Sequence, residues 1–384
     1  VEKQTWTSRF KEWTLHALRL GAKIIKGATG IPKFSAADMR AEWVPRWCPA
    51  EIGSPRPDVY HTWIGIAKKV GLEPTPTSEW IDPTLPEFLE ALKDTHGSAG
   101  FDGWEASELQ ELGDFFPSLL QELLELLLTL LKTDGKEIPD DFFKIFINWR
   151  VVGIPKRDSD DSRPIAIASV IIRAWHKVLL KWLPPAPPEQ YGERGVLLAT
   201  VNWLLADGAA GGEQDLEKCF DTVPHSAAKA ALDHQGVPQI VTNWLLLTWG
   251  APRHCHVNGE ISEPINADDG IPAGDPTCCR VLSNIVTPWH KLIAIKHPKV
   301  KTWAYVDDRS LKASGRSVQE AFEEVQKAFE TTATDFDNLI LFKENVKKRQ
   351  VWRGVMKCEH VVNAAGAWSP AIFAKVGLSI PVSV

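Results

Sequence analysis

Two neighbouring carboxylates, Asp307 and Asp308, stand in the run WAYVDDRSLKA (residues 303–313), between two strand-like stretches. That flanking pattern puts them at the tip of a hairpin, where a sheet can hold both near one point. Uncompensated acids this close repel and raise each other's pKa, and a divalent cation removes the conflict. Asp is also a common turn former, so this segment alone fits a plain Asp-Asp turn as well as it fits a metal pair. A third carboxylate, Asp215, ends a short strand in GEQDLEKCFDTVPHS, with Phe220 and Asp221 following. One acid at a strand end and two on a neighbouring hairpin make the cluster that two-metal phosphoryl transfer uses. The donors are hard oxygens, which suits Mg2+, an ion usually held by one or two carboxylates plus substrate phosphates. Between these segments lies DDGIPAGDPTCCRVLSN. Its Gly270, Pro272, Gly274 and Pro276 form a tight turn before a helix, and glycine there lets backbone approach a ligand closely. Taken singly this turn is unspecific, because many helix starts carry Gly and Pro.

The elements that must position these residues alternate from Gly212 onwards. The pattern predicts helices at Ser226–Gln235, Pro238–Trp249, Arg280–Lys296 and Val318–Phe336. Strands are expected near Arg253–Val257, at Lys301–Tyr305 and after Asp308. This is an α+β arrangement with an antiparallel sheet at its centre. Upstream, Pro86 starts a helix, HGSAGFDG breaks it, and PSLLQELLELLLTLLK forms a strongly apolar second helix, read as packing surface. WRVVGIP (149–155) reads as a strand, KRDSDDS as a charged loop, and RPIAIASVIIRAWHKVLLKWL passes from strand to helix. Residues 1–80 have a different texture: an amphipathic stretch (Trp6, Phe10, Trp13, Leu18), then Pro, Gly and Trp, then the linker-like GLEPTPTSEWIDPTLP. The expected division is an N-terminal extension at 1–80, a second region at 81–211 and a third at 212–384.

Composition narrows the class. The chain has 384 residues, 44% hydrophobic and 24% charged, as in a globular protein with a sizeable core. No apolar run is long enough for a membrane helix; the best, Leu119–Leu131, carries Glu122 and Glu125. Six cysteines include no C-x-x-C pair, so neither a disulfide framework nor a zinc site is expected, and a reducing compartment is the default. His254-Cys255-His256 cannot converge on one ion from a strand, whose side chains alternate in direction. The net charge is −6, but Thr84–Asp141 holds 14 acidic and 3 basic residues, −11 in all, which leaves +5 for the rest. Local charge, with basic residues at 144–194 and 343–357, decides whether a phosphate backbone is accommodated. The 17 tryptophans are expected mainly as core anchors, with some free to stack on bases.

The ordered set resembles the palm motifs of reverse transcriptases: D-x-x-x-x-F-D from Asp215, G-x-P-x-G-x-P from Gly270, then Y-x-D-D ending at Asp308. GFDG (100–103), IPK (154–156) with RPI (163–165), QYGERG (190–195), NVKK (345–348) and VGLSI (376–380) extend the resemblance over roughly residues 95–380. They point to the branch of non-LTR retrotransposons and group II introns. The resemblance implies a right-hand fold of fingers (81–211) and palm (212–384), with a helical N-terminal extension and no thumb. It implies an RNA-directed DNA polymerase that extends a DNA primer with dNTPs on an RNA template. Asp215, Asp307 and Asp308 would hold two Mg2+ ions, with Mn2+ as a substitute. One ion would lower the pKa of the primer 3′-hydroxyl and the other would bind the triphosphate and departing pyrophosphate. Lys156 and Arg163 would contact the triphosphate, Gly274 would lie against nucleotide or template, and Lys348 would sit near the leaving group. Phe220, five residues after Asp215, would fill the space of a ribose 2′-hydroxyl and so select dNTPs. The other reading of Phe220 is a core side chain.

Departures from the pattern are specific. Ala273 replaces the family's usual Gln, and Glu193-Arg194 replaces Phe-Arg. The start at Val1 and the stop soon after the primer-grip-like VGLSI fit a piece of a longer retroelement protein, with nuclease or thumb supplied elsewhere, or a decaying copy. An inactive nucleic-acid-binding scaffold with this fold is the alternative from a different class, and an RNA-directed RNA polymerase is a third reading that Phe220 opposes. A nuclear location would follow if the element is eukaryotic.

Overall fold

A computed structural model of the chain describes residues 34–133, 141, 143–155, 162–186, 209–344 and 350–353. The amphipathic stretch at residues 6–18, Lys156, the segment 190–195, Lys348 and the primer-grip-like 376–380 lie outside the described residues.

Helix α1 (Ala36–Trp47) starts where Ser35 and Asp38 cap each other reciprocally, and it buries Met39, Trp43 and Trp47. Next come α2 (Tyr60–Lys69), α3 (Leu85–Lys93), α4 (Ala106–Phe115) and α5 (Pro117–Lys132). Thr84 and Glu87 form the same box ahead of α3. In α5, Leu120, Leu124, Leu127 and Leu131 recur at three- and four-residue spacing and make the buried stripe, while Leu119 and Leu126 face outward.

The first sheet has the order β2-β1-β4-β5, from β1 (Trp149–Pro155), β2 (Ser162–Ile167), β4 (Arg253–Val257) and β5 (Glu260–Ile261). β1 and β2 form an antiparallel hairpin, and β4 runs parallel to β1, a pairing that local sequence patterns do not disclose. The second sheet is wholly antiparallel in the order β6-β7-β3-β8, from β3 (Ala209–Asp215), β6 (Val300–Tyr305), β7 (Asp308–Ser314) and β8 (Gln350–Arg353). Between the strands run α6 (Val170–Leu179), α7 (Cys219–Thr222), α8 (His225–His234), α9 (Gln239–Trp249), α10 (Cys278–Lys296) and α11 (Val318–Thr332). The last of these ends earlier than expected and continues as a single wider turn, Ala333–Asp337, which swings Asp337 under the sheet.

α10 and α11 pack against one face of the second sheet. The core is continuous from Trp43 and Trp63 through Trp149, Trp175 and Trp244 to Trp289 and Phe342. Among the described residues eight tryptophans are fully buried, in line with their expected role as anchors. Residues 34–80 share this core. Thr75 and Ser78, in the linker-like segment, donate backbone hydrogen bonds to the carbonyls of His234 and Gly236 at the end of α8, and Trp63 donates from its indole to Ile285 on α10.

Candidate active site

Antiparallel pairing places Asp215, the last residue of β3, directly opposite Asp308, the first of β7. Side chains of directly opposed residues share one sheet face. Asp307 occupies the two-residue turn between β6 and β7, and its carbonyl accepts the backbone N–H of Leu216 at 3.3 Å. The other turn residue, Val306, has φ +57°. Glycine is the usual occupant of such a position, so a β-branched side chain there stores backbone strain beside the acids. Asp307 is also felt electrostatically at the helix starts. Burial pushes the Cys219 thiol up and the Asp307 charge adds to it.

A fourth acid, Glu213, was not singled out from the sequence. It lies two residues before Asp215 on the same face, and burial together with the charge of Asp308 raises its pKa. Among the described residues no three His, Cys, Asp or Glu side chains form a ready-made metal cage. Two opposed carboxylates with hard oxygen donors fit an ion that takes its other ligands from phosphates and water.

The Gly-Pro turn folds back onto the β3–α7 connection. The N–H groups of Gly270 and Ile271 donate to the carbonyls of Val223 and Phe220, both at 2.8 Å, so the turn and Phe220 are brought together. Phe220 is half-buried and packs against the core. Gly270 (φ +84°) and Gly274 (φ +132°) both need glycine. A Cβ on Gly274 would lie 2.5 Å from the carbonyl oxygen of Ala166 in β2, so this glycine lets the turn touch the first sheet. Arg163 is exposed on β2, opposite Ile154.

Three sets of positioning contacts escaped the sequence reading. In the first, Asp275, in the turn, has four donors. His176 on α6 meets its Oδ2 at 2.7 Å through Nδ1, Trp249 donates to the same oxygen at 3.0 Å, and the Thr277 N–H and hydroxyl donate to Oδ1 at 2.7 and 2.6 Å. Trp244 donates to His176 Nε2 at 3.2 Å, which leaves Nδ1 as the hydrogen-bearing nitrogen. Burial pushes Asp275 up, but His176 and Thr277 more than offset it and hold the carboxyl below its usual range.

In the second, Arg253 on β4, buried, donates to the carbonyls of Gly270 (2.6 Å) and Trp249 (3.0 Å) and lies 4.8 Å from the Trp47 ring centroid. In the third, Trp47 accepts the N–H groups of Asp268 (2.7 Å) and Asp269 (3.1 Å) and donates from its indole to Asp221 at 3.0 Å. Arg56 meets Asp269 at 3.1 Å and donates to the Thr222 carbonyl at 2.6 Å. Burial pushes both Asp221 and Asp269 up to about 6 against the pull of these cations. Richness in Trp and Arg was the only trace of this brace in the sequence, because its partners are far away along the chain.

Residues 154–355 match the family model described as reverse transcriptase (RNA-dependent DNA polymerase). The chain belongs to that family of nucleotidyltransferases. Among solved structures, apo telomerase from Candida tropicalis, truncated from its C-terminal domain, is similar at 14% identity and a TM-score of 0.41. The match covers 56% of this chain and 51% of that one, so the chain spans about half the length of that structure. No curated protein matches.

Proposed function

We propose that this chain is an RNA-directed DNA polymerase of the non-LTR retrotransposon and group II intron-like branch, and part of a retroelement protein. It extends a DNA primer with dNTPs on an RNA template. The observation that carries this reading is the in-register pairing of Asp215 with Asp308 at the end of the palm sheet, with Asp307 at the adjoining tip. These carboxylates would hold two Mg2+ ions, which supply charge neutralisation at the triphosphate and a lowered pKa at the primer 3′-hydroxyl. The chain itself holds the geometry. The β6–β7 ladder fixes the tip, and Arg253 and His225 both bond the Gly270 carbonyl that anchors the turn. Phe220, whose carbonyl accepts the N–H of Ile271, would exclude a 2′-hydroxyl with its ring. Lys156 and Arg163 would meet the triphosphate from the fingers, and Lys348 the leaving group.

Ala273, half-buried in the turn, favours a second reading: a weakly active or inactive nucleic-acid-binding scaffold, since no side-chain amide is offered at that position. Primer extension on an RNA template with magnesium, comparing dNTPs with NTPs and wild type with Asp307→Ala, separates the readings. Extension from dNTPs that Asp307→Ala abolishes is expected. Primer–template binding without extension from either pool would establish the scaffold, and extension from NTPs alone would remove the role given to Phe220.

A further inference from the structure

The face of the palm sheet that carries the aspartates continues away from them. Along β7, exposure alternates strictly: Asp308, Ser310, Lys312 and Ser314 lie on the more exposed face, while Arg309, Leu311 and Ala313 are buried. Lys312 lies directly opposite Lys301 on β6, so both lysines share the aspartates' face. Lys312 is half-buried and Lys301 exposed.

Like charges directly opposed on a sheet destabilise it. The neighbouring lysines avoid this: Lys296 pairs with Asp335, and Lys299 pairs with Glu320 at 2.8 Å. Among the described residues no carboxylate pairs with Lys301 or Lys312. Burial and the charge of Lys301 both depress the pKa of Lys312. An arrangement that costs stability and has no carboxylate partner among the described residues is matched to an external anion. Its location narrows the choice. Four residues of strand separate Lys312 from Asp308, about 13 Å at 3.3 Å per residue. Nucleic acid advances about 3.4 Å per nucleotide along its axis, so a strand leaving the aspartates along this face reaches the lysines within about four nucleotides.

We propose that Lys301 and Lys312 form a phosphodiester-binding subsite for the primer strand, within a few nucleotides of its 3′ end. This rests on the polymerase reading above. The pair holds the primer backbone from the palm side, and neither lysine takes part in nucleotide addition.

The test measures binding of a DNA primer annealed to an RNA template across a salt series, for the full chain as wild type, Lys301→Gln, Lys312→Gln and the double variant. The double variant is expected to bind several-fold more weakly. Its slope of log affinity against log salt should be shallower by about one, since each phosphate that the protein neutralises adds about 0.9 to that slope. Its melting temperature should equal or exceed that of the wild type, because the like-charge opposition is gone. Neutral methylphosphonate linkages placed singly along the primer then locate the phosphate. One position within about four nucleotides of the 3′ end should weaken the wild type and leave the double variant unaffected. A double variant with wild-type affinity and slope overturns the subsite. Sensitivity that maps to the template strand overturns the assignment to the primer. A wild type that binds no primer–template overturns the polymerase reading and this inference together.

Discussion

The two faces of the second sheet treat charge in opposite ways. On the buried face, Arg309 meets Asp337 through two hydrogen bonds of 2.8 and 2.6 Å and lies 5.0 Å from the Trp289 ring centroid. Its charge is answered inside the protein. On the more exposed face, Asp215 opposes Asp308 and Lys301 opposes Lys312. One strand, β7, supplies residues to both faces, so propensity and location do not explain the difference. A charge that supports the fold is paired by the fold, whereas Lys301 and Lys312, opposed to each other with no carboxylate partner among the described residues, are assigned to something that binds.

That contrast can be broken from either side. The largest effect is expected from Asp308→Asn. Nucleotide addition should fall by about a thousandfold, the scale seen when a principal electrostatic group is removed from an active site. Thermal stability should hold or rise by up to about 1 kcal/mol, since a repelling cross-strand pair is relieved. Next, Asp337→Ala should cost about 3–5 kcal/mol in urea denaturation by leaving Arg309 buried and uncompensated. Replacing both partners with well-packed apolar residues should restore most of that stability.

A third prediction uses His290, buried beneath the sheet, with its Nδ1 at 2.8 Å from the Thr302 hydroxyl. Burial, with the charge of Arg309, lowers its pKa from 6.5 to about 3. Between those values the unfolded chain takes up a proton that the folded chain refuses, so stability present above pH 6.5 is lost as pH falls. Denaturation at about pH 7 and about pH 4.5 should show the wild type losing about 2–3 kcal/mol more than His290→Gln. The smallest effect is expected from Trp47→Phe, which keeps a ring beside Arg253 but removes the N–H to Asp221. A few-fold rise in the KM for dNTP with kcat little changed corresponds to about 1 kcal/mol, the usual net worth of one hydrogen bond. Unchanged steady-state kinetics would show that the brace from the N-terminal region does not reach the nucleotide site.

What could be read in advance depended on range along the chain. The β6–β7 hairpin, the strand ending at Asp215 and helices α8 to α11 follow from local periodicity and turn residues, and the structure contains them at nearly the expected positions. The meeting of Phe220 with the Gly270 turn was implied only by the order of motifs. Nothing local announces that Trp47 bonds Asp221, that His176 bonds Asp275 or that β4 lies parallel to β1, because each partner acquires meaning only once the chain has closed on itself. The opposition of Lys301 and Lys312 is a matter of register, which a sequence alone does not number. Gly274 could be marked as a place of close approach, but the atom it approaches, the carbonyl oxygen of Ala166, belongs to the fold.

The most direct test of the account is single-turnover addition of one dNTP to a primer on an RNA template in magnesium, run side by side on the wild type and Asp308→Asn with the melting temperature of each. The account predicts addition by the wild type, its loss in the variant, and a variant melting temperature no lower than that of the wild type. Addition at the wild-type rate by Asp308→Asn, or loss of activity that merely follows loss of fold, would contradict it.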